Sequence, residues 1–338
     1  MKMFRTIMAL AIATAIAACN SQKETKMPDP TPEKNVPIVF QADSAYRFCE
    51  QQCSFGPRIM NSEAHEQCGR WIAGQFGSYG LKVVEQKANL TGYDGTTLRS
   101  TNIIAQYRPE QKERILICAH WDSRPWADND PDEKNWHQPV MAANDGASGV
   151  AVMLELARLL AASAADSQLP SPEVGIDFIC FDAEDWGTPQ WSDQSDDSDS
   201  WALGAQYWAS HPHAEGYTAR YGILLDMVGG QGARFYREGF SRRYAKQVLN
   251  NVWQAAQTAG YSSYFLQQDG GTITDDHVPV NMVAGIPCID IIPYYPDCEA
   301  SSFGPTWHTL NDDMQHIDPY TLKAVGQTLL QVIFTEKK

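Results

Sequence analysis

The chain reads as a single α/β domain: a central, mostly parallel, twisted mixed sheet with helices on both faces. Three observations predict this. Short apolar runs of strand length alternate with longer segments of helical period, the pattern that wraps helices around a parallel sheet. The chain has 338 residues, 43% of them hydrophobic, enough for one large core. Its acidic and histidine residues gather just beyond the apolar runs, where the strands of an open α/β sheet deliver functional groups.

In chain order, Asp43 to Cys53 and Ser62 to Tyr79 are amphipathic and predicted helical, separated by Phe55-Gly56-Pro57-Arg58. Strands are expected at Thr101–Tyr107 and Arg114–Ala119. Gly146–Ala162 places Val150, Met153, Leu156, Ala157 and Leu160 on helical spacing. Val174–Phe181 and Tyr221–Leu225 follow as buried-type strands, Ser241–Ala259 as a helix and Ile286–Ile292 as a strand. The last helix, Asp318–Thr335, opens with Asp318 as cap and Pro319 in its first turn. Two long segments interrupt the alternation: Trp121–Met141, with three prolines, and the Ser/Asp-rich Thr188–Ser200. Loops of that length inside a compact domain are usually functional or disordered. No internal repeat is visible.

The first residues carry an address. Lys2 and Arg5 precede a short apolar run, Met8–Ala15, which ends in Ile16-Ala17-Ala18-Cys19. That ending resembles a bacterial lipobox, so residues 1–19 are expected to be a lipoprotein signal with Cys19 lipidated. The plainer alternative is an ordinary cleaved signal peptide. Residues 20–36, rich in Pro, Lys and Glu, would be a flexible tether, and 37–338 the catalytic domain. The chain is thus expected to leave the cytoplasm and face the periplasm on a lipid anchor, with Asn20 hinting at the outer membrane. Seven cysteines remain after Cys19. Cys118, Cys180 and Cys288 lie in apolar runs and read as buried thiols, whereas Cys49, Cys53, Cys68 and Cys298 are candidates for bridges. A formal net charge of -15 argues against nucleic acid as a partner.

His120 and Asp122 follow one strand, Glu184 and Asp185 the next, and Asp226 the third, while Asp145 sits where a helix begins and His308 follows the last strand. One crevice would collect them all, and histidine with carboxylates suits a catalytic zinc site. Asp193, Asp196, Asp197 and Asp199 form an acidic loop, read first as solvated and second as a calcium site, because it lacks the ordered spacing of a calcium loop.

The segments His120-Trp121-Asp122-Ser123-Arg124-Pro125, Ala143-Asn144-Asp145-Gly146-Ala147-Ser148-Gly149-Val150, Asp182-Ala183-Glu184-Asp185, Leu225-Asp226 and Thr306-Trp307-His308-Thr309 resemble the M28-type zinc exopeptidases. Among these the sequence is most similar to the animal-type glutaminyl cyclases, over about Phe55 to the C-terminus. The resemblance implies a zinc exopeptidase-like fold and one zinc held by Asp145, Asp185 and His308. It implies Glu184 as acid/base, Asp226 and Asp275 as a supporting carboxylate pair, and Trp307 as a wall of the glutamine pocket. Trp186 is a further candidate wall, and His120, Asp122 and Asp290 are candidates for orienting ligands or holding a second metal. The animal enzymes tend to carry His where Asp290 stands. The implied reaction closes N-terminal glutamine of peptides or proteins to pyroglutamate with release of ammonia. Two rivals stand beside it. One is a two-zinc aminopeptidase, since His120, Asp145, Asp185, Asp226 and His308 supply every ligand type it needs. The other is a non-catalytic, peptide-binding surface lipoprotein.

Overall fold

A computed structural model describes residues 35–193 and 198–338. The signal and tether expectations, Cys19 included, and Asp196 and Asp197 of the acidic loop, lie outside these residues apart from residues 35 and 36. In chain order the elements are α1 (Ala42–Cys53), α2 (Glu63–Ser78), β1 (Lys82–Thr91), β2 (Thr97–Tyr107), β3 (Arg114–His120), α3 (Ala147–Ala165), β4 (Gly175–Phe181), α4 (Leu203–Ser210), β5 (Gly222–Leu225), β6 (Phe235–Arg237), α5 (Gly239–Tyr244), α6 (Lys246–Thr258), β7 (Phe265–Asp269), α7 (His277–Met282), β8 (Cys288–Ile291) and α8 (Pro319–Thr335).

Six strands form one sheet in the order β1-β2-β4-β3-β5-β8. The four from β4 to β8 run parallel, and the β1–β2 hairpin adds antiparallel at one edge. Every residue of β3, β4, β5 and β8 is buried, as expected where helices cover both faces. The chain leaves β3 for β4 on one side and later reaches β5 on the other. The sheet therefore switches direction at β3, and a crevice opens beyond its carboxyl end.

α3 lies against β3 with α1 and α8 over it, which is why it is apolar nearly all round. Its close seat needs Gly149, because a Cβ there would come within 2.3 Å of the Leu225 carbonyl oxygen. α8 is capped as expected, with Asp318 accepting from the Tyr320 amide.

Several expectations are corrected. β1 went unread because its burial alternates only between exposed and half-buried, which gives an edge strand little apolar signal. Its pairing extends β2 back to Thr97. The expected helix Ser241–Ala259 is two helices, broken at Ala245 (φ -134°). A small parallel pair, β6 and β7, flanks them. The short helices α4 and α7 were also missed, each being too brief for a 3.6-residue period to register. Among the described residues all seven cysteines are free thiols, so none of the expected bridges forms. Cys49 is committed to the core instead, its thiol donating to the Ala143 carbonyl at 3.0 Å.

Candidate active site

Each strand end delivers its residue to one place. β3 ends in His120, with Asp122 two residues on; β4 is followed by Glu184 and Asp185; β5 is followed by Asp226. Asp145 precedes α3, Asp275 precedes α7 and Asp290 lies within β8. The turns that present these groups are forced ones. Ala142, Ala183, Ala202, Met227 and His308 all have positive φ, five of the seven non-glycine residues that do so among those described. Left-handed backbone at such positions costs free energy and persists where surrounding structure fixes it, commonly at functional sites. Gly146 is required here, since a Cβ would lie 2.4 Å from the His120 carbonyl oxygen.

Two donor trios share Asp145. One is Asp145, Asp185 and His308; the other is His120, Asp145 and Asp226; all five residues are buried. In the first, His308 Nε2 lies 3.2 Å from Asp185 Oδ1 and 3.8 Å from Asp145 Oδ2. These separations bracket the edge of a zinc tetrahedron, about 3.4 Å for bonds near 2.1 Å. Both Asp185 oxygens are buried with no hydrogen-bond partner, lone pairs that a cation would satisfy. The residues present therefore fit zinc. In the second trio His120 Nε2 sits 2.8 Å from Asp145 Oδ1 and 3.3 Å from Asp226 Oδ1. The shorter contact is closer than the roughly 3.4 Å that separates two ligands of one tetrahedral zinc.

The surrounding shell explains why the ligands stand where they do. Asp122 accepts from the amides of Glu184 and Asp185, both at 3.1 Å, and so fixes the turn that carries these two acids. Asp312 accepts from the amides of Asn144 and Asp145 at 2.7 and 3.1 Å. Arg58, fully buried, donates to the carbonyls of Trp121, Met141 and Ala142 and ties the long loop at both ends. Asp128 lies 3.4 Å from His308 Nδ1 and forms two hydrogen bonds with Arg124, whose guanidinium also donates to the Asp185 carbonyl. One buried ion pair thus braces two ligands of the first trio. A carboxylate on Nδ1 leaves Nε2 free to ligate.

Electrostatics separate the acids by role. Burial would raise Asp128, but the hydrogen bonds from His308 and Arg124 hold it well below the usual carboxylate range. Burial would lower His308, and the carboxylates of Asp185 and Asp128 instead hold it up to about 9. Burial drives Glu184 well above its ordinary value, with the charges of Asp185, Asp275 and Asp276 adding to it. Burial likewise raises Asp226 to about 6, against the hydrogen bond from His120. Asp275 is pushed to about 7 by burial and then by the charge of Asp226.

These groups face a pocket of about 420 Å³ walled by Trp307, Trp201, Phe303, Ile292 and Ile273, with Asp145, Glu184, Asp226, Asp275 and His308 on its floor. Trp307 stacks on His308 at 3.7 Å between ring centroids. Trp186 is not among the lining residues: it packs on Trp126 and donates to Asp94 at the hairpin tip, because its neighbour Gly92 leaves the space its ring fills. Trp201, another tryptophan beside the acidic loop, lines the pocket instead and stacks on His308 at 6.0 Å between ring centroids. Asp290 lies behind the pocket, fully buried, with its oxygens facing His277 and no hydrogen-bond donor on them. Asp290 and Asp275 share a buried cluster with His277.

Comparison with known proteins matches this architecture. A solved structure of Bacteroides thetaiotaomicron glutaminyl cyclase bound to N-acetylhistamine superposes with a TM-score of 0.85 at 52% identity, covering 90% of this chain and 100% of that one. Glutaminyl-peptide cyclotransferase of Gloydius blomhoffii is 29% identical over 263 residues, 70% of this chain and 65% of its own length. Aminopeptidase YwaD of Bacillus subtilis is 28% identical over 254 residues, 72% of this chain and 46% of its own. The chain thus spans about half to two thirds of the length of these curated relatives. The model of "Peptidase family M28" matches residues 102–333, from the sheet strand before the crevice to the last helix. With that match over most of the chain, and with Asp145, Glu184, Asp226, Asp275, Trp307 and His308 gathered at the crevice inside it, the chain belongs to peptidase family M28.

Proposed function

We propose that the chain is a glutaminyl-peptide cyclotransferase, closing the N-terminal glutamine of peptides to pyroglutamate and releasing ammonia. The single observation that carries this is the placement of Asp275 beside Asp226 on the pocket floor. A second buried carboxylate stands against the one that a second zinc would need, and its charge helps push Asp275 to about 7. In the two-zinc arrangement Asp226 would be a ligand; in this reading it and Asp275 hold a nitrogen. Similarity to the solved Bacteroides thetaiotaomicron cyclase over the whole of that chain supports the same reading.

Asp145, Asp185 and His308 would hold one zinc per chain, which when bound supplies Lewis-acid polarisation of the substrate's γ-amide oxygen. The chain's own residues do the rest. Glu184, raised by burial, takes a proton from the α-ammonium and returns one to the departing amide nitrogen. Asp226 and Asp275 orient that nitrogen as it moves between the two states. Trp307 and Trp201 close the pocket on the glutamine side chain and exclude water. Because nucleophile and electrophile belong to one residue, positioning supplies much of the acceleration. Peptides and proteins with N-terminal glutamine are the proposed partners, without nucleic acid. The Ile16–Cys19 sequence supports an exported protein on a lipid anchor facing the periplasm, by the same reasoning that Asn20 supports the outer membrane. A calcium ion at the Asp193–Asp199 loop is not part of this reading.

Mass spectrometry of a Gln-Xaa and a Leu-Xaa peptide incubated with zinc-loaded enzyme tests the proposal. Loss of one ammonia from the Gln peptide alone is expected. Glu184→Gln is expected to slow that reaction by about 10²–10⁴-fold while keeping its zinc. Release of the N-terminal residue from either peptide would replace the cyclase with an aminopeptidase.

A further inference from the structure

Near the pocket lies an aromatic cluster that cyclisation does not use. Trp126 stands at its centre. Around it are Tyr93 at 5.6 Å and 75°, Trp186 at 5.3 Å and 60°, and Trp191 at 5.9 Å and 88°, with Trp136 stacked on Trp191 at 6.2 Å. The five rings come from the hairpin tip and from the two long loops after β3 and β4. All are half-buried, whereas Trp121, Trp208 and Trp253 of the core are closed to solvent. Four of the chain's ten tryptophans thus sit partly exposed in one cluster. Contiguous exposed aromatic surface on a soluble chain marks recognition.

Two links join this surface to the pocket. The Arg124 guanidinium lies 4.7 Å from the Trp201 ring and 5.1 Å from the Trp126 ring, so the two indoles sandwich it. Trp201 is a wall of the pocket. Asn129 donates to the Trp307 carbonyl and accepts from Gln190, the residue before Trp191. The Trp126 ring is therefore at most about 10 Å from a pocket wall, a span that roughly three extended residues cross. Arg124 itself is neutralised by Asp128, and the charge next to the rings is the exposed Asp94 carboxylate, which accepts from Trp186. The edge-to-face arrangement around Trp126 presents both faces and edges to an incoming ring.

We propose that this surface is a subsite for the chain behind the substrate's glutamine, taking an aromatic side chain at the third or fourth peptide position. The inference rests on the cyclase reading and names its substrate class. Steady-state kinetics on Gln-Gly, Gln-Gly-Gly-Gly, Gln-Gly-Phe-Gly and Gln-Gly-Gly-Phe test it, with the Trp191→Ala and Trp136→Ala variants alongside. Phenylalanine at position three or four is expected to raise kcat/KM about tenfold over glycine, mainly through KM. That ratio is expected to fall towards one in Trp191→Ala, and to fall in Trp136→Ala. Equal kcat/KM for all peptides in the unaltered enzyme would overturn the subsite while leaving the cyclase intact, as would an advantage that survives in both variants. Conversion of none of the four would overturn the cyclase reading and the subsite with it.

Discussion

At Asp145, Asp185 and His308 three short sequence blocks far apart in the chain meet within metal-binding distance. Asp145 and Asp185 were legible beside a helix start and a strand end, whereas His308 lies in the long segment between β8 and α8 and was legible chiefly through the Thr306-Trp307-His308-Thr309 resemblance. Their support was not: Asp128, Arg124, Arg58 and Asp312 act through space, and nothing in their local sequence pairs Asp128 with His308 or Asp312 with Asn144. Trp186 and Trp201 show the same limit, since two loop tryptophans look alike until Gly92 makes room for one and His308 stacks on the other. The brace has a measurable consequence. Asp128→Asn keeps the shape but loses the charge on His308 Nδ1 and against Arg124. Zinc affinity, followed by chelator competition, is expected to fall about 10–100-fold. Unchanged affinity would mean that the pair only packs the loop.

Among the elements, the buried parallel strands and the long helices were readable because apolar period and length coincide there. The break at Ala245 was not, since the side chains on either side keep a helical pattern. Nor was the cap just outside the segment, Glu238, which accepts from the amides of Phe240, Ser241 and Ile273 and from the Ser241 hydroxyl. Glu238 therefore starts α5 and ties it to the segment leading to Asp275. Burial would raise this carboxyl, but contact with His277 and the amide hydrogen bonds hold it down to about 2. Glu238→Ala is expected to destabilise the fold by about 2 kcal/mol in urea unfolding near neutral pH. A carboxyl whose folded value is depressed stabilises fully above its unfolded value and loses that contribution as pH falls towards the folded one. The gap between the original chain and Glu238→Ala should thus narrow as pH drops from about 4.5 towards 2. A gap independent of pH would assign the loss to packing alone.

At the level of the whole molecule, the direction switch at β3 gathers the site. Because β4 and β5 flank β3 as parallel neighbours, their carboxyl ends open on one side, and Asp145, Glu184, Asp226, Asp275 and His308 face that crevice. The fold class was readable from strand–helix alternation alone, since only a parallel sheet buries such strands on both faces. The chain is similar both to an aminopeptidase and to a glutaminyl-peptide cyclotransferase, and the proposed function separates the two by the number of metals. The most direct test is a zinc titration of metal-stripped enzyme that follows ammonia release from a Gln peptide. A plateau at one zinc per chain, with pyroglutamate as the sole product, is the expected result. Activity that needs a second equivalent, or free glutamine among the products, would contradict the one-metal cyclase.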